Sequence, residues 1–141
     1  MNIVCYFIDD DFDDHHFFKS ALTTIDPNIE LVIESSGPAA LHKLESDESF
    51  TPTYIFLDLN LPQINGKLLL AELKKLHRVR DIPVVIYSTS NYPGDILLCQ
   101  ELGAVGYIIK PNGYKEIINT LRNTLATLST NTNHFFTTTD E

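Results

Sequence analysis

Cysteine is scarce in this chain. Cys5 and Cys99 are the only two thiols in 141 residues, each alone inside an apolar segment, without CxxC spacing or the density of a disulfide scaffold. Both are expected as reduced core residues. Basic residues are also few: 10 Lys plus Arg stand against 19 Asp plus Glu, which leaves a net charge of −9 and a pI near 4.8. An extended phosphate-binding face is therefore not expected, and neither is direct nucleic-acid binding. Long apolar runs are missing too. None approaches the ~20 residues that span a bilayer, and Asp9 arrives too soon for a secretory signal. No membrane segment is expected, and a cytoplasmic location is. The length leaves no room for a second domain at about 100–200 residues each, so no DNA-binding or enzymatic output unit is expected beside the first.

What is present is an ordinary globular composition, 43% hydrophobic and 21% charged, enough for one core. Runs rich in β-branched and aromatic residues recur at 3–8, 29–33, 54–57, 83–87 and 105–109. Most are continuous rather than alternating, the pattern of strands buried on both faces. They begin roughly 22 to 29 residues apart, near the ~30 residues of a strand plus its crossover helix. The gaps read as helices. Asp13 to Ile25 carries Phe17, Phe18, Ala21, Leu22 and Ile25 at spacings of three and four. Pro38 to Leu44 begins with a proline, Leu68 to Leu76 stops before Pro83, Asp95 to Leu102 is ended by Gly103, and Ile117 to Leu128 has the longest apolar stripe. The predicted fold is α/β, a doubly wound (βα)5 sandwich with helices on both faces of a parallel sheet. Residues 129–141 lose periodicity and become Thr- and Asn-rich. They are expected to be a flexible, solvated tail, with Phe135 and Phe136 undocked.

In an open parallel sheet, ligands bind beyond the carboxyl ends of the strands. The first strand ends in Asp9, Asp10 and Asp11, the third in Asp58, the fourth in Ser88, and the fifth in Lys110 followed by Pro111. Carboxylates that converge repel one another, and either a pKa rises or a cation is recruited. Magnesium suits such a set, because it takes oxygen ligands and is held by one or two carboxylates plus a phosphate. Lys110 adds a positive charge for Asp58 and then for a phosphoryl oxygen. A carboxylate nucleophile, a metal, a lysine and a hydroxyl are the parts of phosphoryl transfer. Asp58, alone at the end of YIFLD, is the expected acceptor. Asp11, Asp13 and Asp14 are expected to serve as helix N-terminal caps, and His15 and His16 to form a solvated face, with partner docking as their functional alternative. His42, His77 and His134 lack ligand spacing and receive no metal role.

The motifs IDDD at 8–11, LDLNLPQING at 57–66, PVVIYSTS at 83–90 and LGAVGYIIKP at 102–111 together resemble a response-regulator receiver domain of two-component signalling, similar to the chemotaxis regulators. The resemblance runs from Asn2 to about Leu128, giving a receiver domain over 1–128. It implies a flavodoxin-like sheet of order 2-1-3-4-5 and a chain that acts as a stand-alone regulator. Asp58 would be the phosphoacceptor. Magnesium would be held by Asp10, Asp58 and the backbone carbonyl of Asn60, with Asp9 acting through water. Lys110 and Ser88 would contact the phosphoryl group, Tyr107 would turn inward as the aromatic switch, and Pro111 and Gly66 would shape the turns. The donor would be a sensor histidine kinase or a histidine phosphotransfer protein. The response would be a change in the surface of the fourth helix, fifth strand and fifth helix, with Ile96, Leu97, Tyr107 and Tyr114 as candidates, by which the chain signals to a downstream protein or relays the phosphoryl group to one. Such a chain is not an enzyme beyond its own phosphorylation and dephosphorylation. Ser88 stands where threonine is common, and Thr89 where smaller residues are frequent, which implies slow loss of the phosphoryl group. The alternative is an aspartate-nucleophile phosphatase of the haloacid-dehalogenase type, in which Asp9 would attack and Asp11 would serve as acid and base.

Overall fold

The computed structural model describes residues 2–130 and 134–138. Strands and helices alternate along the chain: β1 (Val4–Ile8), α1 (Phe12–Ile25), β2 (Glu30–Glu34), α2 (Gly37–Ser46), β3 (Tyr54–Leu57), α3 (Gly66–Leu73), β4 (Val84–Ser88), α4 (Pro93–Glu101), β5 (Gly106–Ile109), α5 (Tyr114–Ser129) and β6 (Phe136–Thr138). All pairings are parallel and the sheet order is β2-β1-β3-β4-β5-β6. The flavodoxin-like order 2-1-3-4-5 is thus present, with one strand added.

Period-two alternation divides the core in two. Tyr6, Ile8, Ile55, Leu57, Val84, Ile86 and Tyr107 face α2, α3 and α4, where they meet Leu44, Leu69, Leu73 and Cys99. Cys5, Phe7, Phe56, Val85, Tyr87 and Ile108 face α1 and α5, where they meet Phe18, Leu22, Ile117 and Leu121. On that second face Phe7 stacks on Phe18 with ring centroids 4.0 Å apart, and Phe18 meets Phe56 and Tyr87 edge-on. Cys5 and Cys99 are buried free thiols, as expected. Burial pushes Cys5 up to about 12 and Cys99 up to about 11, so both stay protonated at neutral pH.

Two expectations require correction. The sheet has six strands rather than five, and the segment after Leu128 is not wholly a flexible tail: Ser129 still belongs to α5, and Phe136–Thr138 forms β6 beside β5. Without it, β5 would be an edge strand with unpaired backbone groups. Phe136 N donates to the Val105 carbonyl at 3.2 Å, and Ile109 N donates to Thr138 Oγ1 at 3.1 Å. Phe135 packs against the first core cluster and Phe136 against the second. Phe136 lies on β5 at Gly106, where a Cβ would fall 2.3–2.6 Å from its ring. The remainder of the expected tail, residues 131–133 and 139–141, lies outside the described residues.

Candidate functional site

The site is assembled by strand register. Ile8 is opposite Leu57, Leu57 opposite Ile86, and Ser88 opposite Ile109, so the residues that leave these strands emerge side by side. Backbone bonds continue the ladder past the strand ends: Asp58 N donates to the Ile8 carbonyl at 3.0 Å, Asp9 N to Glu34 at 3.0 Å, and Lys110 N to Ser88 at 2.8 Å. Gly66 fixes the loop that follows Asp58. Its N–H donates to the Leu59 carbonyl at 2.9 Å, and a Cβ there would lie 2.3 Å from the Asp58 carbonyl oxygen, so only glycine fits this approach.

Carboxylate oxygens of Asp9, Asp10 and Asp58 lie within 4.8 Å of one another. Asp9 and Asp58 are 0% and 4% exposed, whereas Asp10 opens to solvent. Burial pushes the Asp9 carboxyl up to about 6, against the opposing pull of the Asp11 amide and Lys110. Asp58 is raised for the same first reason, with Lys110 and the Asn60 amide partly offsetting it. Burial alone would lower Lys110, but the carboxylates of Asp14, Asp58 and Asp9 outweigh it and hold the ammonium above its ordinary value. Three carboxylates of hard oxygen donors, one of them open to water, fit a divalent cation that keeps part of its hydration shell. None of His42, His77 and His134 belongs to this cluster.

Lys110 has three carboxylate partners. Its Nζ lies 2.6 Å from Asp14 Oδ2, 2.9 Å from Asp9 Oδ2 and 3.4 Å from Asp58 Oδ2. Asp58 Oδ1 accepts the Asn60 N–H at 3.2 Å. Ser88 is fully buried, and its Oγ accepts from Ser90 N at 3.2 Å. The Tyr107 ring is fully buried already, and its hydroxyl donates to the Ser90 carbonyl at 2.9 Å. It therefore contributes no exposed side chain to the expected response surface. Leu97 and Tyr114 are exposed on that surface, while Ile96 packs against the first core cluster. Beside Ser90, Asp95 at the start of α4 accepts from Ser90 Oγ at 2.6 Å and pairs with Lys67 at 2.5 Å.

Asp11 caps α1 as expected, accepting from Asp13 N and Asp14 N at 2.8 and 3.1 Å. Asp14 does not cap; it is the nearest partner of Lys110. His15 is not on a solvated face either. It is buried, with its ring edge-on to Phe7 and Phe12 and its Nε2 on the Asp9 carbonyl, whereas His16 is exposed as expected. The signal for His15 was its spacing, three residues before Phe18 and seven before Leu22 on the buried stripe. A cleft of about 290 Å³ opens beside Lys110, walled by Asp14, Phe17, Thr89, Asn112 and Tyr114.

Comparison with known proteins agrees with this arrangement. The response regulator receiver domain family matches residues 6–122. Response regulator Rcp1 of Synechocystis sp. is 33% identical over 118 residues, covering 81% of this chain and 80% of Rcp1. The nitrate/nitrite response regulator NarL of Escherichia coli is 30% identical over 121 residues, but this chain spans only 52% of it. Among solved structures, the phosphorylated cyanobacterial phytochrome response regulator RcpA superposes with a TM-score of 0.85 at 29% identity, over 94% of this chain and 98% of RcpA. The Mn(2+)-bound form of Rcp1 superposes with a TM-score of 0.81, also at 29% identity, over 92% of this chain and 96% of Rcp1. Strand-end acids, a half-buried lysine paired with them and a family match that spans both establish that this chain belongs to the response regulator receiver domains.

Proposed function

We propose that this chain accepts a phosphoryl group on Asp58 from a phosphohistidine donor in a magnesium-dependent reaction and passes the resulting conformational change to a protein partner. The observation that carries this is the placement of Asp58 within reach of Lys110 and of two further carboxylates at the end of a central strand. Magnesium would be held by Asp10, Asp58 and the Asn60 carbonyl, with Asp9 behind a water, and would shield the acidic pocket while neutralising phosphoryl charge. One Asp58 oxygen attacks phosphorus, the P–N bond to the donor imidazole breaks, and an acyl phosphate is left on the chain. Lys110 donates to the phosphoryl oxygens, and the Ser88 hydroxyl turns from Ser90 N toward the same group. Tyr107, with its hydroxyl on Ser90, reports that movement to the loop before α4. Thr89 walls the cleft beside Lys110, which supports slow entry of the water that would release the phosphoryl group.

The donor is a sensor histidine kinase or a histidine phosphotransfer protein. The cleft beside Lys110, walled by the exposed Phe17 and Tyr114 with ring centroids 6.3 Å apart, supports docking there. β6 pairs with β5, so the response surface would comprise α4, β6 and α5. Buried, unpaired thiols support a cytoplasmic location. No helix among the described residues is long and apolar enough to cross a membrane. The phosphatase alternative is disfavoured because the receiver-domain family accounts for residues 6–122 and Rcp1, a response regulator, is matched over 80% of its length. The chain would thus catalyse nothing beyond its own phosphorylation and dephosphorylation. Incubation with labelled acetyl phosphate and magnesium should label the natural chain at Asp58 and leave Asp58→Asn blank. Label retained by Asp58→Asn would refute the acceptor assignment.

A further inference from the structure

We infer that Asp14 is a positioning residue that holds Lys110 back from Asp58 and thereby lowers the affinity of this site for a phosphoryl group. The inference rests on the phosphoacceptor reading above. Lys110 Nζ sits 2.6 Å from Asp14 but 3.4 Å from Asp58, so its shortest ion pair is made to a carboxylate that neither accepts the phosphoryl group nor belongs to the metal cluster. The Asp14 side chain is 29% exposed and the Lys110 side chain 11%. Asp14 therefore reaches in from the first turn of α1, at the mouth of the cleft, while the ammonium it holds is largely out of water. An ammonium has three donors but a single position. Contact with an oxygen on Asp58-bound phosphorus draws Nζ toward β3 and away from α1, and the Asp14 pair lengthens.

Charge acts in the same direction. When acetyl phosphate is the donor, its P–O bond breaks, acetate leaves and an Asp58 O–P bond forms; the single negative charge of the Asp58 carboxylate becomes the two of an acyl phosphate. That added charge pulls Nζ from Asp14 toward β3, so the Asp14 pair must lengthen as the group binds. Asp13 stands in the same helix turn, is exposed, and makes no contact with Lys110 among its hydrogen bonds and ion pairs. It is the natural control for charge and helix-end effects. A site held this way retains its phosphoryl group less firmly, which favours return to, or passage onto, a histidine.

The test uses the full chain and beryllofluoride with magnesium as the phosphoryl mimic. Asp14→Asn, which keeps the shape, should bind the mimic roughly threefold more tightly or better. Asp14→Glu should return toward the natural value, and Asp13→Asn should match the natural chain. In a Lys110→Ala background the gain should vanish, as expected of a residue that acts through the lysine. In the free protein, the Asp58 carboxyl carbon should shift in its NMR spectrum on Asp14→Asn as Lys110 closes on it. Unchanged or weaker binding by Asp14→Asn, an equal gain from Asp13→Asn, a gain that survives in Lys110→Ala, or a static Asp58 resonance would each overturn the inference. A natural chain that neither takes label from acetyl phosphate nor binds the mimic would instead count against the phosphoacceptor reading, and the Asp58 resonance would still judge the position of Lys110.

Discussion

At the scale of single residues, the pocket balances burial against charge. Asp9 is fully buried, and its carboxyl is raised from 3.8 to about 6, first by burial. A carboxyl raised on folding costs stability when ionised. That cost is fully present above pH 6 and is relieved as pH falls toward 4, because the folded state then binds the extra proton. Asp58 shifts in the same direction from the same first cause. In a chelator, the urea midpoint at pH 5 should therefore exceed that at pH 7, and Asp9→Asn should flatten the difference. A midpoint that drops between pH 7 and pH 5 in the natural chain would show that Lys110 already compensates the buried charge in full. The acids, the hydroxyl and the lysine of this pocket were legible because each follows an apolar run at a strand end. Asp14 was not. Its position in a first helical turn matches the capping pattern equally well, and only the arrival of Lys110 from a strand 96 residues away distinguishes the two roles.

At the scale of elements, β6 is where local pattern and tertiary context part. Three residues, two of them threonine, carry too little periodicity to announce a strand. What makes them one is the open edge of β5 and the missing Cβ at Gly106. The five longer strands and their helices were legible because continuous apolar runs and three-four spacing hold over whole elements, with shifts of a few residues only at the ends. Gly106→Ala places a Cβ against the Phe136 ring, so the strand must move. The expected result is release of β6, with faster hydrogen exchange at the Ile109 amide, which now donates to Thr138, and a loss of about 1–3 kcal/mol of stability. Phe136→Ala should speed the same exchange without touching β5. Protection of Ile109 unchanged in both variants would mean that β6 contributes nothing to the edge.

At the scale of the molecule, strand order and net charge act on one place. β1 and β3 are neighbours in the sheet although α1, β2 and α2 separate them in the chain. Their carboxyl ends thus bring Asp9, Asp10 and Asp58 together at the topological switch point. Lys110 supplies one positive charge against those three acids and Asp14, within a chain already at −9. A divalent cation bound there stabilises the folded chain by mass action, while monovalent salt only screens. At a hundredfold excess over its dissociation constant, magnesium should raise the melting temperature by roughly 5–10 °C for a domain of this size. Sodium chloride at equal ionic strength should raise it far less, and Asp10→Asn, which alters the exposed member of the cluster, should remove most of the magnesium-specific part. Equal shifts from the two salts would mean that the acidic cluster is relieved by screening alone and that its three carboxylates do not converge on a single ion.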